Sequence, residues 1–165
     1  MVIILMGVTG SGKTTLGRLL AKRLGWAFFD GDDFHSLENI RKMSAGIPLT
    51  DEDRFEWLQT LADLVRKSIN EERSIVLACS ALKQPYRDIL TVDPAKVKFV
   101  YLKGSPVMIG RRVRQRTGHY MQAGMVESQF AALEEPADAL IIDIRQSPQK
   151  CVERILNAYQ IDPDR

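Results

Sequence analysis

The chain has 165 residues, 45% of them hydrophobic and 27% charged, with a formal net charge of +2. That length suits one domain, 1–165, able to bury roughly two-thirds of its unfolded surface without covalent staples, and so small a charge argues against a nucleic-acid or membrane partner. Its two cysteines, Cys79 and Cys151, have neither metal-ligand spacing nor a disulfide framework, and no apolar run nears the roughly 20 residues of a membrane span, so the expectation is a cytoplasmic protein.

The first element is the apolar, β-branched run Val2-Ile3-Ile4-Leu5-Met6, read as a buried strand. Gly7-Val8-Thr9-Gly10-Ser11-Gly12-Lys13-Thr14 follows, a complete G-x-x-x-x-G-K-[ST] phosphate-binding loop. Thr15 leads into a helix in which Leu16, Leu19, Leu20 and Leu24 share a face. Strand, loop and helix in that order are the context such a motif requires. Its glycines let successive N–H groups turn inward onto phosphate oxygens, and the helix N-terminus adds the positive end of its dipole. Gly7 through Thr15 are therefore expected to hold ATP. Lys13 is expected on the β- and γ-phosphates, and the Thr14 hydroxyl on Mg²⁺.

A second strand, Trp26-Ala27-Phe28-Phe29, runs into Asp30-Gly31-Asp32-Asp33-Phe34-His35. Such a string can be a solvated turn. At the carboxyl end of a strand it can also supply what phosphoryl transfer to an alcohol needs, a carboxylate to take or orient the hydroxyl proton and another to organise Mg²⁺. Asp30 is expected nearest the γ-phosphate and Asp32 towards the acceptor, although Gly31 permits a turn that exchanges the two roles.

Thr50-Asp51-Glu52-Asp53 has a capping-box form, and Phe55, Leu58, Leu61, Ala62, Val65 and Ile69 mark the apolar stripe of the long helix it opens. Arg54, in its first turn, is a candidate bidentate clamp for a substrate carboxylate. Arg87 could do the same or pair with a neighbouring acid.

A third strand, Ser74-Ile75-Val76-Leu77-Ala78, ends without the acid that motor ATPases and regulatory GTPases place there, and no N-K-x-D or D-x-x-G string occurs. Cys79 beyond it reads as a small buried hydrophobe. Strands at 97–102 and 140–142 alternate with helices opened by Pro85, Pro106 and Pro148, with Ser105 and Ser147 as caps. In Arg111-Arg112-Val113-Arg114-Gln115-Arg116, Arg112 and Arg116 lie four apart on one helix face. A solvated helix end would look the same, but beside a phosphate loop they suit a lid at about 111–125, with Gly118 and Gly124 as its bends.

Alternating elements with continuous apolar strands imply an α/β phosphate-loop NTPase fold: a five-stranded parallel sheet, helices on both faces, and ligands at the carboxyl ends of the strands. The residues alone leave open which small polyol acid is the acceptor, a shikimate-like one or an aldonate. A non-enzymatic ATP- or RNA-binding module is the contrasting reading. The carboxylates after strand 2 argue against it, because a binder of anions gains nothing from acids facing phosphate.

Several further strings resemble the thermoresistant gluconokinase family of small phosphate-loop kinases. They are Asp30-Gly31-Asp32-Asp33-Phe34-His35, Asn39 with Lys42-Met43, and Gly46-Ile47-Pro48-Leu49-Thr50-Asp51-Glu52-Asp53-Arg54 with Trp57-Leu58. Cys79-Ser80-Ala81-Leu82-Lys83 with Tyr86-Arg87-Asp88, Tyr101-Leu102-Lys103-Gly104, Gly118-His119-Tyr120, and Gln129-Phe130 with Leu133-Glu134-Glu135-Pro136 complete the set. The resemblance runs from the first strand to the last helix. It departs at Ser36, where the family often has Pro, and at Glu56, where Pro often precedes the Trp. It implies Mg²⁺-dependent transfer of the ATP γ-phosphate to the 6-hydroxyl of D-gluconate, a shikimate-kinase-like core with a mobile lid, and commonly a homodimer. Lys13 and Asp30 would be catalytic, Arg112 and Arg116 would join the ATP site, and Asp32, His35, Arg54 and Arg87 would bind substrate.

Overall fold

The computed structural model describes residues 1–117 and 121–163. Five strands, β1 (Val2–Met6), β2 (Ala27–Asp30), β3 (Ile75–Ala78), β4 (Val97–Lys103) and β5 (Leu140–Asp143), pair in the order β2-β3-β1-β4-β5. Every pairing is parallel. The helices are α1 (Lys13–Leu24), α2 (Leu37–Ser44), α3 (Asp51–Asn70), α4 (Gln84–Leu90), α5 (Pro106–Thr117), α6 (Met121–Ala132) and α7 (Pro148–Tyr159), with a 3₁₀ turn at Gly31–Phe34.

The two-residue period of a strand explains why β1 is apolar throughout. Ile3 and Leu5 point into a core with Leu16 and Leu20 of α1 and Val152 and Ile155 of α7. Val2, Ile4 and Met6 point the other way, against Leu58, Leu61 and Val65 of α3. With both faces covered, β1 is wholly buried, and the loop that follows it stands on a rigid strand.

The strands end a residue or so from where hydropathy places them. β2 starts at Ala27 and ends on Asp30, which registers with Ala78 of β3, while Lys103 registers with Asp143 at the other edge. The capping box at Thr50 is present, with Asp53 N donating to Thr50 Oγ1 and Thr50 N donating to Asp53 Oδ2. Phe55 departs from the expected stripe. It is 54% exposed, and the buried face begins at Trp57 and Leu58, because the first turn of α3 lies beyond the core contact and faces the site. Gly124 lies inside α6 and makes no bend there, while Gly118, His119 and Tyr120 fall outside the described residues. Ser36, at one of the two family departures, caps α2 by accepting from Asn39 N at 3.1 Å, a bond Pro could not make.

Candidate active site

The phosphate loop crosses from the end of β1 to the first residue of α1. Gly12, the residue before α1, has φ 94°, a left-handed conformation that costs glycine nothing and a β-carbon dearly. Lys13 Nζ donates to Gly7 O at 2.9 Å and Val8 O at 3.0 Å, curling back over its own loop. Burial lowers the Lys13 pKa, and the Asp32, Cys79 and Asp30 side chains oppose that shift. An ammonium hydrogen-bonded to neutral carbonyls is poised to trade them for phosphate oxygens.

Across the loop, Thr14 Oγ1 donates to Asp30 Oδ2 at 2.7 Å. β2 lies one strand beyond β3, so this bond spans the end of β3, the strand that lacks an acid. The span works because Gly31 packs tightly there: a β-carbon on it would stand 2.8 Å from Ala78 O. The other Asp30 oxygen accepts from Asp32 N at 3.1 Å. Asp30 thus accepts one hydrogen bond on each oxygen. The Asp32 side chain is 87% exposed, and the surrounding protein and then the Asp30 charge raise its pKa, a shift that its contact with water limits.

His35 stacks on Trp57, ring centroids 4.3 Å apart and planes 13° from parallel, and its Nε2 lies 4.0 Å from Asp32 Oδ1. Burial lowers the His35 pKa, which keeps the imidazole neutral at neutral pH. Trp57 Nε1 in turn donates to Gly31 O at 2.7 Å, so α3 fixes the turn that carries both acids. Asn39 Nδ2 donates to Asp53 O at 2.8 Å and Lys42 Nζ to Asp53 Oδ1 at 2.8 Å, tying α2 to α3. Arg54 is half-buried, donates to Leu49 O at 2.9 Å, and has no acid within salt-bridge distance among the described residues.

On the other side of the loop lies a cavity of about 390 Å³, lined by Gly12, Thr15, Arg112, Arg116, Gln146 and Pro148 among others. Its volume is in the range of small-molecule sites. Arg112 Nη2 donates to Ile144 O at 2.8 Å, which holds the guanidinium against the loop. The structure therefore gathers Gly10, Ser11, Gly12, Thr15, Arg112 and Arg116 around one cavity, and Asp30, Asp32 and His35 around the turn beside Lys13 and Thr14.

Arg87 is the exception. It is 97% buried by the complement of its 3% exposure, and its guanidinium donates to Ala81 O, Leu82 O and Gln84 Oε1. These bonds, four from the five N–H donors of the guanidinium, brace the chain between β3 and α4, so the structure places Arg87 in the scaffold and not with Asp32 and His35. Cys79 is buried as expected, its thiol pushed up to about 12.

Three contacts have no counterpart in the sequence reading. Gln129 Oε1 of α6 accepts from Thr9 N at 2.6 Å, linking the helix after the arginine run to the phosphate loop. Tyr86 donates its hydroxyl to Asp51, and Trp57 reaches Gly31. Each joins distant segments, and no local pattern announces it.

Residues 9–160 match the shikimate kinase family. The chain is 46% identical over 153 residues to a probable gluconokinase of Mus musculus, covering 82% of this chain and 83% of that one. It is 39% identical over 163 residues to a gluconokinase of Gluconobacter oxydans, covering 97% and 92% respectively. The crystal structure of a gluconokinase from Sinorhizobium meliloti is similar at a TM-score of 0.81 and 36% identity, covering 97% of each chain. These likenesses extend over the sheet, the carboxylate turn and the arginine helix as well as the phosphate loop, and on that footing the chain belongs to the gluconokinase family, among the shikimate-kinase-type, ATP-dependent kinases of small molecules.

Proposed function

We propose that the chain transfers the γ-phosphate of ATP to the 6-hydroxyl of D-gluconate, giving 6-phosphogluconate and ADP. The observation that carries the transfer is the Thr14–Asp30 bond with the Asp32 carboxylate open beside it. The acceptor oxygen attacks the γ-phosphorus in line. A bond from O6 to phosphorus forms, the bond to the β,γ-bridging oxygen breaks, and ADP keeps that electron pair. Each Asp30 oxygen already accepts one hydrogen bond, from Thr14 or from Asp32 N, so the open Asp32 carboxylate is the readier acceptor of the O6 proton, while Asp30 keeps lone pairs for a cation. This exchanges the two roles relative to the order of the acids along the chain. Asp32 is open to an incoming hydroxyl, its side chain 87% exposed.

The Thr14 hydroxyl and the Asp30 carboxylate are hard oxygen donors, a set that suits Mg²⁺, which keeps most of its waters and takes phosphate oxygens besides. When bound, Mg²⁺ neutralises charge on the β- and γ-phosphates. Lys13 leaves the Gly7 and Val8 carbonyls for those phosphates, and Arg112 and Arg116 of α5 close on the nucleotide. Arg54 holds the acceptor carboxylate through donors that no acid engages among the described residues. Cytoplasmic location and assembly as a homodimer complete the proposal.

The test is ADP release in a coupled assay with D-gluconate, shikimate, other aldonates and nucleoside monophosphates offered in turn. Gluconate should give the highest kcat/KM by at least tenfold. A better rate with shikimate or a nucleotide would overturn the choice of acceptor. ADP release indifferent to every acceptor would overturn the kinase reading itself.

A further inference from the structure

Arg54 is not the only cation at the acceptor end. Its Cζ lies 6.0 Å from the centroid of the Tyr86 ring, and Lys83 Nζ lies 5.7 Å from the same centroid. One carboxylate is bonded into this group. Asp51, the first residue of α3, accepts from the Tyr86 hydroxyl and from Lys83 Nζ, the latter at 3.3 Å. Asp53, the nearest acid in sequence to Arg54, is engaged by Lys42 and by Thr50 N. Arg54 and Lys83 together carry two positive charges against one negative charge on Asp51. The Tyr86 phenol stays neutral, its pKa raised by burial and by the bond to Asp51. The group is therefore one anion short.

Its placement matters as much as its charge. Lys83 follows β3, at the carboxyl edge of the sheet where ligands of such folds bind. The field of Arg54 reaches His35 on one side and Asp51 and Tyr86 on the other, so the group continues the turn that carries Asp32. The Lys83 and Asp51 side chains are 32% and 69% exposed. A pair so open to water holds its partners weakly, which leaves the ammonium able to turn to a better one.

We propose that Lys83 is a second specificity-determining cation, which with Arg54 brackets the carboxylate of the acceptor against the Tyr86 ring, Asp51 serving as the counter-ion that holds Lys83 until the acceptor arrives. The inference rests on the acceptor being a sugar acid, as proposed above. The guanidinium supplies a planar fork and the ammonium a mobile point charge, so the two together distinguish a carboxylate from an uncharged polyol end.

The test compares D-gluconate with D-gluconamide, which keeps the carbon chain and the 6-hydroxyl but carries no charge. The wild type, Lys83→Met and Lys83→Arg are each assayed, the amide as a substrate or, where turnover is slow, as a competitor of gluconate. Lys83→Met should lower kcat/KM for gluconate about tenfold through KM, the worth of one charged hydrogen bond. The amide, and ATP at saturating gluconate, should change by less than about twofold, and Lys83→Arg should recover most of the loss. Equal losses on gluconate and its amide would overturn the proposal, and so would an unchanged gluconate KM, which would leave Lys83 as a surface partner of Asp51. A wild type that does not phosphorylate gluconate would overturn the acceptor reading and this inference together, whereas an unchanged Lys83→Met beside an active wild type overturns this inference alone.

Discussion

The two ends of the cleft are built by opposite means. The nucleotide end we propose centres on one contiguous stretch, Gly7 to Thr15, which offers backbone N–H groups held by glycines, a helix terminus and a buried strand, with Arg112 and Arg116 beside it. The acceptor end is assembled from side chains of three separate segments: the turn after β2, the first turn of α3, and the chain around α4. A backbone site tolerates most side-chain changes but fails when its few essential ones go. A side-chain site can be altered piece by piece, and each alteration shows in affinity for the acceptor before it shows in the chemistry.

The largest effect should come from the nucleotide end. Lys13→Ala should cut kcat by about 100-fold or more, because its charge acts most strongly on the transition state. Melting temperature should be nearly unchanged, since Lys13 bonds only two carbonyls of its own loop. A folded variant that keeps a tenth of wild-type kcat would break the contrast.

The carboxylates sit between the two ends, and they sharpen it. Asp32→Asn should lower kcat by about 100-fold, in the range of a lost general base, with little change in the Mg²⁺ concentration required. Asp30→Asn should instead raise the Mg²⁺ concentration for half-maximal rate, because the amide weakens the partner of Thr14. Rate profiles in Mg²⁺ for both variants decide the matter, and the opposite pattern would return the proton-accepting role to Asp30.

A smaller and more selective effect belongs to Arg54. Arg54→Lys should raise gluconate KM about tenfold, since an ammonium cannot reproduce the fork, and should leave ATP affinity alone. Equal damage to both substrates would make Arg54 part of the scaffold.

The smallest effect is on stability. His35 has a folded pKa below the ordinary histidine value, so the unfolded chain takes its proton more readily. Stability from the neutral, stacked imidazole is present above about pH 6.5 and lost as pH falls through the depressed pKa. Thermal melts from pH 7.5 to 5 should decline more steeply for the wild type than for His35→Gln. Parallel curves would show that the Trp57 stack does not depend on the charge of His35.

The same contrast explains what could be read from the sequence. A contiguous motif between a strand and a helix announces itself, so the loop, its lysine and its threonine were legible, as were the five strands to within a residue or so. The turn carrying Asp30, Asp32 and His35 was legible because it follows a strand. Which acid meets Thr14 was not, since that bond crosses the end of β3. Arg87 and Arg54 look alike as isolated arginines, yet one is wrapped in the carbonyls of Ala81 and Leu82 and the other keeps donors free. Lys83 and Tyr86 meet Asp51 across 32 and 35 residues, and Gln129 meets Thr9 across 120, distances over which periodicity carries no information. Gly124 reads as a bend by composition but lies within a helix that is anchored by buried Val126 near its middle and, just past its end, by Glu134 N donating to Leu82 O.

The most direct measurement is phosphorus NMR of the product formed from ATP, Mg²⁺ and D-gluconate. Transfer to the 6-hydroxyl gives a phosphomonoester on a CH₂ carbon, so its resonance, recorded without proton decoupling, should be a triplet that grows in equal amount with ADP. A doublet, from phosphate on a CH carbon, would contradict the assigned position of transfer. Inorganic phosphate growing with ADP in place of any ester would contradict the kinase itself.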